Sequence, residues 1–266
     1  MVVFSAGIGY LLAVPALAFS WIDLFILCLG GFLVTGAANT LNQVLESDVD
    51  KKMARTSNRP IASGRMTINE AVMAAGLMSL VGIGCLAYFN PLTALVGMIS
   101  LISYAFLYTP MKKISPVAVL IGAFPGAFPP LIGWVAVTGT LDAEALVLFG
   151  IQFMWQFPHF WSIAWLRYED YAKAGFYLLP TRKKDKQSAF QGVVYAAFLL
   201  PLGIMPTVLG LTGWLSAVIL TITGGYFTYC AWVLFKDLSR DAARRLMFCS
   251  FFYLPIVLIA LLIDKL

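Results

Sequence analysis

Residues 42–60 read NQVLESDVDKKMARTSNRP and join a strongly apolar stretch to a cluster of charged side chains. An amide and three carboxylates, at Asn42, Glu46, Asp48 and Asp50, come directly before four Lys or Arg residues. Acids and bases this close together would largely neutralise one another at an ordinary surface. The arrangement therefore favours a site in which a further charged species lies between them.

The composition of the chain is that of a polytopic membrane protein. Of its 266 residues, 61% are hydrophobic and 12% are charged, and the mean hydropathy is +0.86. Soluble domains carry about 25% charged residues, so a soluble globular domain is excluded. Cys28, Cys85, Cys230 and Cys249 lie in apolar segments without CxxC spacing, and we expect them to pack as small buried residues.

Nine segments are apolar over a length that can cross a bilayer, for which roughly 20 residues are needed. They are about 2–20, 22–45, 70–89, 91–109, 115–138, 143–167, 190–210, 214–236 and 245–264. We therefore predict an all-α polytopic membrane protein with about nine transmembrane helices. The first segment begins at Met1 without a polar lead, so we expect either a short lead or a start that lacks residues.

The basic residues predict how the chain is oriented. Seventeen of the eighteen Lys and Arg residues lie in every second connection, within 46–69, 108–115, 167–189 and 236–245. The positive-inside rule places these loops in the cytoplasm, with the N-terminus inside and the C-terminus outside. This alternation explains the net charge of +5, and we expect no nucleic-acid partner.

A polar stripe follows the second predicted helix. Its members recur every three or four residues, as on one helix face, and are Thr35, Asn39, Asn42, Glu46 and Asp50. Such oxygens can hold Mg²⁺, which prefers one or two carboxylates and completes its shell with substrate phosphate. Pairing of the carboxylates with Lys51, Lys52 or Arg55 fits the spacing equally well. The neighbouring cations favour Mg²⁺ with a diphosphate, whose charge they would neutralise.

Two other segments carry candidate functional residues. The sixth predicted helix holds His159, the only histidine, about 12 Å from its cytoplasmic end at Arg167. A structural role, a metal or haem-iron ligand and a general base are all compatible with this histidine. In YAFLYTPMKK, residues 104–113, Tyr104 and Tyr108 share a helix face before Lys112. Interfacial anchoring alone would also explain that segment.

Several of these motifs together resemble the UbiA superfamily of intramembrane prenyltransferases. The N-x-x-x-D/E-x-x-x-D core of its first aspartate-rich motif falls on Asn42, Glu46 and Asp50. More narrowly, the resemblance is to the branch that farnesylates protohaem. The motifs that carry it are RTSNRP at 55–60, YTPMKK at 108–113, PHF at 158–160, DYAKAG at 170–175 and LP at 179–180.

The resemblance implies a single transmembrane prenyltransferase domain over residues 1–266, around a central cavity open toward the cytoplasm. The protein is then expected in a prokaryotic cell (inner) membrane. The implied reaction transfers a farnesyl group from farnesyl diphosphate to the vinyl group of haem B, giving haem O. Mg²⁺ is the implied cofactor, and haem B is a substrate. Membrane lipids surround the protein, and haem-handling or oxidase assembly proteins are the implied downstream partners.

The resemblance also implies roles for individual residues. Asn42, Glu46 and Asp50 would hold Mg-diphosphate, and Asp170 would be a catalytic acid of a second motif. The implied substrate contacts are Arg55, Arg59, Tyr108, Lys112, Arg167 and His159, the last toward haem. Glu46 departs from the usual Asp, and RYEDY at 167–171 is poor in Asp, so a second full metal site is not expected. A TKPR-like lead before helix 1 is absent from the sequence.

Two alternative functions are left open by the residues. A prenyltransferase for a quinone precursor or another aromatic acceptor would need the same acids and bases. A transporter for an anionic solute should have charged or broken helices near the bilayer midplane. Here the ionisable residues gather at the cytoplasmic helix ends, with His159 as the deep exception, so a transporter is disfavoured.

Overall fold

The computed structural model describes residues 1–266 and contains helices but no β-strand. The helices are α1 Val2–Ala13, α2 Trp21–Leu45, α3 Ser47–Asp50, α4 Ile68–Ala87, α5 Pro91–Ile102, α6 Thr109–Met111, α7 Ala118–Thr138, α8 Ala143–Leu166, α9 Tyr168–Lys173, α10 Lys186–Ala197, α11 Leu199–Val208, α12 Trp214–Asp237 and α13 Arg240–Ile263. A π-helical segment, Ser103–Tyr108, joins α5 to α6. All four cysteines are free, but the expected burial is found only for Cys230, since Cys28, Cys85 and Cys249 are half-buried.

Seven helical segments are long and apolar enough to cross a membrane, so this is an integral membrane protein. They coincide with seven of the nine predicted spans, and two of them, Pro91–Met111 and Lys186–Val208, combine consecutive helices. Of the other two, α1 has only 12 residues, against the roughly 20 that a span requires. Helix α8 has 24 residues, but Gln152, Gln156 and His159 make it less apolar.

Side-chain caps explain where most of the long helices begin. The capping side chain accepts a hydrogen bond from a backbone N–H of the first turn, which otherwise has no partner. The caps are Ser20, Thr67, Asn90, Asp142, Asp185 and Ser239. Thr67 and Glu70 complete a capping box at the start of α4. These polar residues mark the starts of helices in an otherwise apolar chain.

Helix α7 lies at the centre of the bundle. About 67% of its spanning window is buried, against 22–44% for the other six spans. It packs tightly against α1, since a Cβ on Gly133 would lie 1.9 Å from the carbonyl oxygen of Ala6. Close backbone approach through small residues is a general way to associate helices in lipid, where apolar burial gives little drive.

A proline in α7 provides an attachment point for α8. Pro130 has no N–H to bond the carbonyl of Gly126, four residues earlier. The side-chain amide of Gln152 donates to that carbonyl at 2.7 Å. One turn further along α8, Gln156 Nε2 donates to the carbonyl of Ala123 at 2.9 Å. The glutamines that lower the hydropathy of α8 therefore fix it to the central helix.

The long second helix is interrupted at Glu46. The backbone there has φ −107° and ψ 7°, outside the helical region, and it separates α2 from α3. A similar break, with φ −108° and ψ 20°, occurs at Arg167 between α8 and α9. The predicted polar stripe is therefore interrupted at Glu46 and does not follow one continuous helix.

Candidate active site

A polar chamber of about 180 Å³ lies where α2 meets α3. The charged groups converge there with a ring of aromatic and apolar side chains. Its lining residues are Asn42, Glu46, Asp50, Met53, Arg55, Arg59, Tyr104, Tyr108, Lys112, Tyr171, Phe176 and Leu178. Seven of the ten candidate site residues predicted from the sequence are in this set.

A buried charge pair crosses the polar chamber. Lys112 Nζ lies 2.7 Å from Glu46 Oε1, and the two side chains are only 10% and 4% exposed. At this separation the ammonium and the carboxylate form a charge-assisted contact. Burial lowers the pKa of Lys112, and the nearby Glu46 carboxylate opposes that shift. Glu46 therefore presents a buried carboxyl group to the chamber, held by a single ammonium group.

Asp50 forms a second acid–base pair in the polar chamber. Arg59 Nη1 lies 2.8 Å from Asp50 Oδ2 and 3.0 Å from Oδ1, and the Asp50 side chain is 1% exposed. The Thr56 hydroxyl donates to the Asp50 carbonyl at 3.1 Å and folds the following loop back toward it. Sequence spacing offered Lys51, Lys52 or Arg55 as partners of the carboxylates. That assignment is wrong for Glu46 and Asp50.

The basic residues next to α3 take other positions. Lys51 pairs at 3.5 Å with Asp48, whose side chain points into solvent at 90% exposure. Arg55 is exposed and lines the polar chamber from its edge. Helical spacing accounts for this separation, because residues two apart point to opposite sides of a helix, so Asp48 faces outward and Asp50 inward.

The amide of Asn42 has a defined orientation. Its Nδ2 donates to Thr109 Oγ1 at 3.0 Å, and that hydroxyl donates in turn to the carbonyl of Tyr104 at 2.9 Å. Since the Thr109 proton is used, Asn42 must be the donor in this contact. Its Oδ1 is therefore left free for a ligand in the polar chamber.

The donor set of the polar chamber fits a metal that arrives with its own ligands. No group of three or more His, Cys, Asp or Glu side chains is close enough to hold an ion alone. Two carboxylates and one amide oxygen do face the chamber, together with Arg and Lys. This combination suits Mg²⁺ bound to a diphosphate, because Mg²⁺ accepts few protein ligands when phosphate oxygens complete its shell.

Three of the candidate residues lie outside the polar chamber, and two of them, Arg167 and Asp170, are at the surface. Arg167 and Asp170 are 3.8 Å apart, with side chains 55% and 46% exposed. Surface pairs of this kind contribute little energy. Their neighbour Tyr171 lines the chamber instead. The structure thus does not bring Asp170 to the other acids, because the short helix α9 presents Tyr171 inward.

A second and larger cavity of about 380 Å³ adjoins the first. This apolar chamber shares Tyr104, Tyr108 and Leu178 with the polar chamber, so these three side chains form a partition between them. The two tyrosine rings lie 5.2 Å apart, centre to centre. Sequence reasoning noticed the shared face of the tyrosines but assigned no site role to Tyr104.

His159 lines the apolar chamber rather than the polar one. Its imidazole is nearly parallel to the indole of Trp155, with ring centres 4.7 Å apart, and its Nδ1 lies 2.7 Å from Ser250 Oγ. Gln152 lines the same chamber, and its Oε1 is buried without a hydrogen-bond donor. The apolar chamber therefore contains a few unpaired polar atoms in an aromatic wall.

A chamber of acids and bases that adjoins an apolar chamber inside a helical membrane bundle is the arrangement that an intramembrane prenyltransferase requires. Residues 2–254 match the model of the UbiA prenyltransferase family, and the chain belongs to that family. The family predicted from the motifs is thus confirmed.

Among known proteins, the chain is similar to two bacterial relatives called protoheme IX farnesyltransferase. The one from Cytophaga hutchinsonii is 48% identical over 266 residues, which cover 99% of this chain and 93% of the relative. The one from Flavobacterium johnsoniae is 44% identical over 270 residues, covering 99% and 90%.

Solved structures share the fold at low sequence identity. A structure of digeranylgeranylglyceryl phosphate synthase has a TM-score of 0.84 at 19% identity, and the match covers 99% of this chain and 92% of that one. A UbiA homologue from Archaeoglobus fulgidus bound to GPP and Mg²⁺ has a TM-score of 0.71 at 15% identity, covering 98% and 95%. At these identities the likeness concerns the fold.

Proposed function

We propose that the protein transfers the farnesyl group of farnesyl diphosphate to the vinyl group of haem B, giving haem O. The observation that carries this proposal is the partition at Tyr104 and Tyr108, where a charged chamber meets an apolar one. A diphosphate on one side and a prenyl chain with a large apolar acceptor on the other would meet there. The names of the 48% and 44% identical relatives support haem as the acceptor.

The polar chamber binds the diphosphate in this proposal. Asn42, Glu46 and Asp50 would hold Mg²⁺ on the diphosphate, since their oxygens face the chamber. The fold relative from A. fulgidus, which is bound to GPP and Mg²⁺, supports use of this ion. Bound Mg²⁺ would draw charge from the leaving diphosphate oxygens. Lys112 and Arg59, which pair with the carboxylates, lie close enough to exchange them for phosphate oxygens.

The partition and the apolar chamber act on the farnesyl cation and on its attack by the vinyl group. Departure of diphosphate leaves an allylic cation, which the aromatic faces of Tyr104 and Tyr108 stabilise electrostatically. The apolar lining keeps bulk water away until the vinyl group has attacked. One water then adds to the carbocation left on the haem side and releases a proton, which gives the hydroxyethylfarnesyl side chain. Arg55 at the chamber's edge is a further diphosphate contact. Arg167 and Asp170 gain no direct role from their surface position.

In the proposed membrane arrangement α8 is an eighth span beside the seven apolar ones, and short α1 is the ninth membrane segment, which enters the bilayer without crossing it alone. Helix α8 is fixed to central α7 by Gln152 and Gln156, so it crosses the bilayer with its neighbour although it is less apolar. Short α1 packs against the same helix through Gly133. The polar chamber lies beside the basic loops, and by the positive-inside rule this supports a position on the cytoplasmic side of a prokaryotic inner membrane. Haem O would then pass to a haem-handling protein.

Competition between acceptors tests this function. The protein in lipid vesicles receives labelled farnesyl diphosphate and Mg²⁺ with equal amounts of haem B and an aromatic carboxylic acid that serves as a quinone precursor. We expect the label in haem, with the mass of one farnesyl group and one water added. Label in the aromatic acid alone would assign the protein to a quinone branch. Release of diphosphate with no labelled acceptor would contradict both prenyl-transfer functions.

A further inference from the structure

The hydrogen bonds around Ser250 determine which nitrogen of His159 carries the proton. Ser250 Oγ donates to the carbonyl of Met247 at 2.5 Å and lies 2.7 Å from His159 Nδ1. A hydroxyl has a single proton to donate, so Ser250 can only accept from the imidazole. His159 is therefore protonated at Nδ1, and its Nε2 presents an unprotonated lone pair.

That lone pair faces an apolar cavity. His159 Nε2 makes no hydrogen bond with the protein, and the residue lines the apolar chamber. Among the side chains that line this chamber there is no Asp, Glu, Lys or Arg. Without an acidic or basic partner to relay a proton, general-base chemistry has no support at this position. A neutral nitrogen donor in such surroundings is suited to a metal ion carried by an apolar ligand.

The imidazole is also fixed in its orientation. Trp155 stacks against it, and Phe160 and Phe251 contact its edges with ring centres 5.3 and 5.2 Å away. Trp155 Nε1 donates to the backbone carbonyl of Ser250 at 2.9 Å. Trp155 and His159, one turn apart on α8, are thus both hydrogen-bonded to Ser250 on α13.

We propose that His159 Nε2 is the axial ligand of the haem iron and that Ser250 is the positioning residue which fixes its tautomer. The inference rests on the proposed function, since it takes haem as the acceptor. An imidazole whose second nitrogen donates a hydrogen bond is the usual arrangement of a metal-bound histidine, which is oriented and made more basic by that bond. Ligation would hold the porphyrin in the apolar chamber and restrict which edge reaches the partition.

Haem titration without farnesyl diphosphate tests this inference. The full chain in lipid nanodiscs is mixed with ferric haem B, and absorption and electron paramagnetic resonance spectra are recorded. Wild type should give a histidine-ligated spectrum. His159→Ala should lose that spectrum and regain it with added imidazole, and His159→Met should shift it to that of a thioether ligand. Ser250→Ala should bind haem about 10–100-fold more weakly, as for other metal-site partners of this kind, whereas Ser250→Thr should restore binding.

Binding of inorganic diphosphate with Mg²⁺ is the matched control for all four variants. It should be unchanged, since His159 and Ser250 lie outside the polar chamber. An identical haem spectrum in wild type and His159→Ala would overturn the ligation while leaving farnesyl transfer to haem intact. Failure of the wild type itself to bind haem would instead overturn the proposed acceptor.

Discussion

Glu46 and Lys112, from different helical segments, meet 2.7 Å apart inside the polar chamber with side chains at least nine-tenths buried. Burying a charge pair has a desolvation cost that often equals its attraction, so such a pair is weak evidence for stability alone. When a diphosphate with Mg²⁺ enters the chamber, the Lys112 ammonium can pair with the phosphate oxygens and the Glu46 carboxylate with the metal. The relationship predicts that the charges matter more for turnover than for folding.

Removal of one partner of this pair should expose that difference. Lys112→Gln leaves Glu46 buried and unpaired, which costs about 3–5 kcal/mol in comparable buried pairs. The Glu46→Gln/Lys112→Gln double variant should recover most of the thermal stability, because no charge is left unpaired. It should remain inactive in farnesyl transfer. Recovery of activity together with stability in the double variant would show the pair to be purely structural.

Asp50 should be required for turnover, and Asp48 should not. Asp50→Asn removes a buried chamber carboxylate, and a loss of roughly 100-fold or more in turnover is expected from the loss of a charge-stabilising group. Asp48→Asn makes the same chemical change two residues away on the solvent side, where the side chain is 90% exposed. Rates of farnesyl transfer in vesicles decide the matter. Equal rates in the two variants would remove Asp50 from the site.

The position of the tyrosine partition depends on Gly122. A Cβ at this residue would lie 2.6 Å from Tyr108 Cδ2, so Gly122→Ala must displace the ring. Overpacking typically costs about 1–3 kcal/mol, and we expect a folded protein with impaired transfer to haem. Gly225→Ala is the control, since nothing lies within 4 Å of its Cβ. The account would be contradicted if both alanine variants had the wild-type rate.

Lys265 should stabilise the first helix. Its ammonium donates to the carbonyls of Leu11 and Val14, at 2.9 and 2.5 Å, at the end of α1. Loss of hydrogen bonds to a charged group costs about 1.5–3 kcal/mol, so Lys265→Met should lower the thermal unfolding temperature by several degrees. Lys183→Met is the control, because that side chain is exposed and makes no ion pair. A Tm equal to that of the control would show that these bonds do not stabilise α1.

Local spacing was enough to predict the core of the polar chamber. Asn42, Glu46 and Asp50 all line it, because their intervals of four residues still direct them to one side even though the helix breaks between them. Seven of the nine predicted spans are confirmed for a similar reason, since apolar length is a local property.

The partners of these residues could not be predicted in the same way. Glu46 pairs with Lys112, and His159 bonds to Ser250, which is 91 residues away. Such contacts depend on how helices pack, and short-range spacing contains no information about them. Asp170 illustrates the same limit, because the inward residue of α9 is its neighbour Tyr171.

The mass of haem extracted after incubation tests the central claim most directly. The protein in lipid vesicles receives haem B and farnesyl diphosphate, either with Mg²⁺ or with EDTA, and the haem is analysed by mass spectrometry. We predict a gain of one farnesyl group plus one water with Mg²⁺ and unchanged haem B with EDTA. Unmodified haem under both conditions, or the same yield of product in EDTA, would contradict the account.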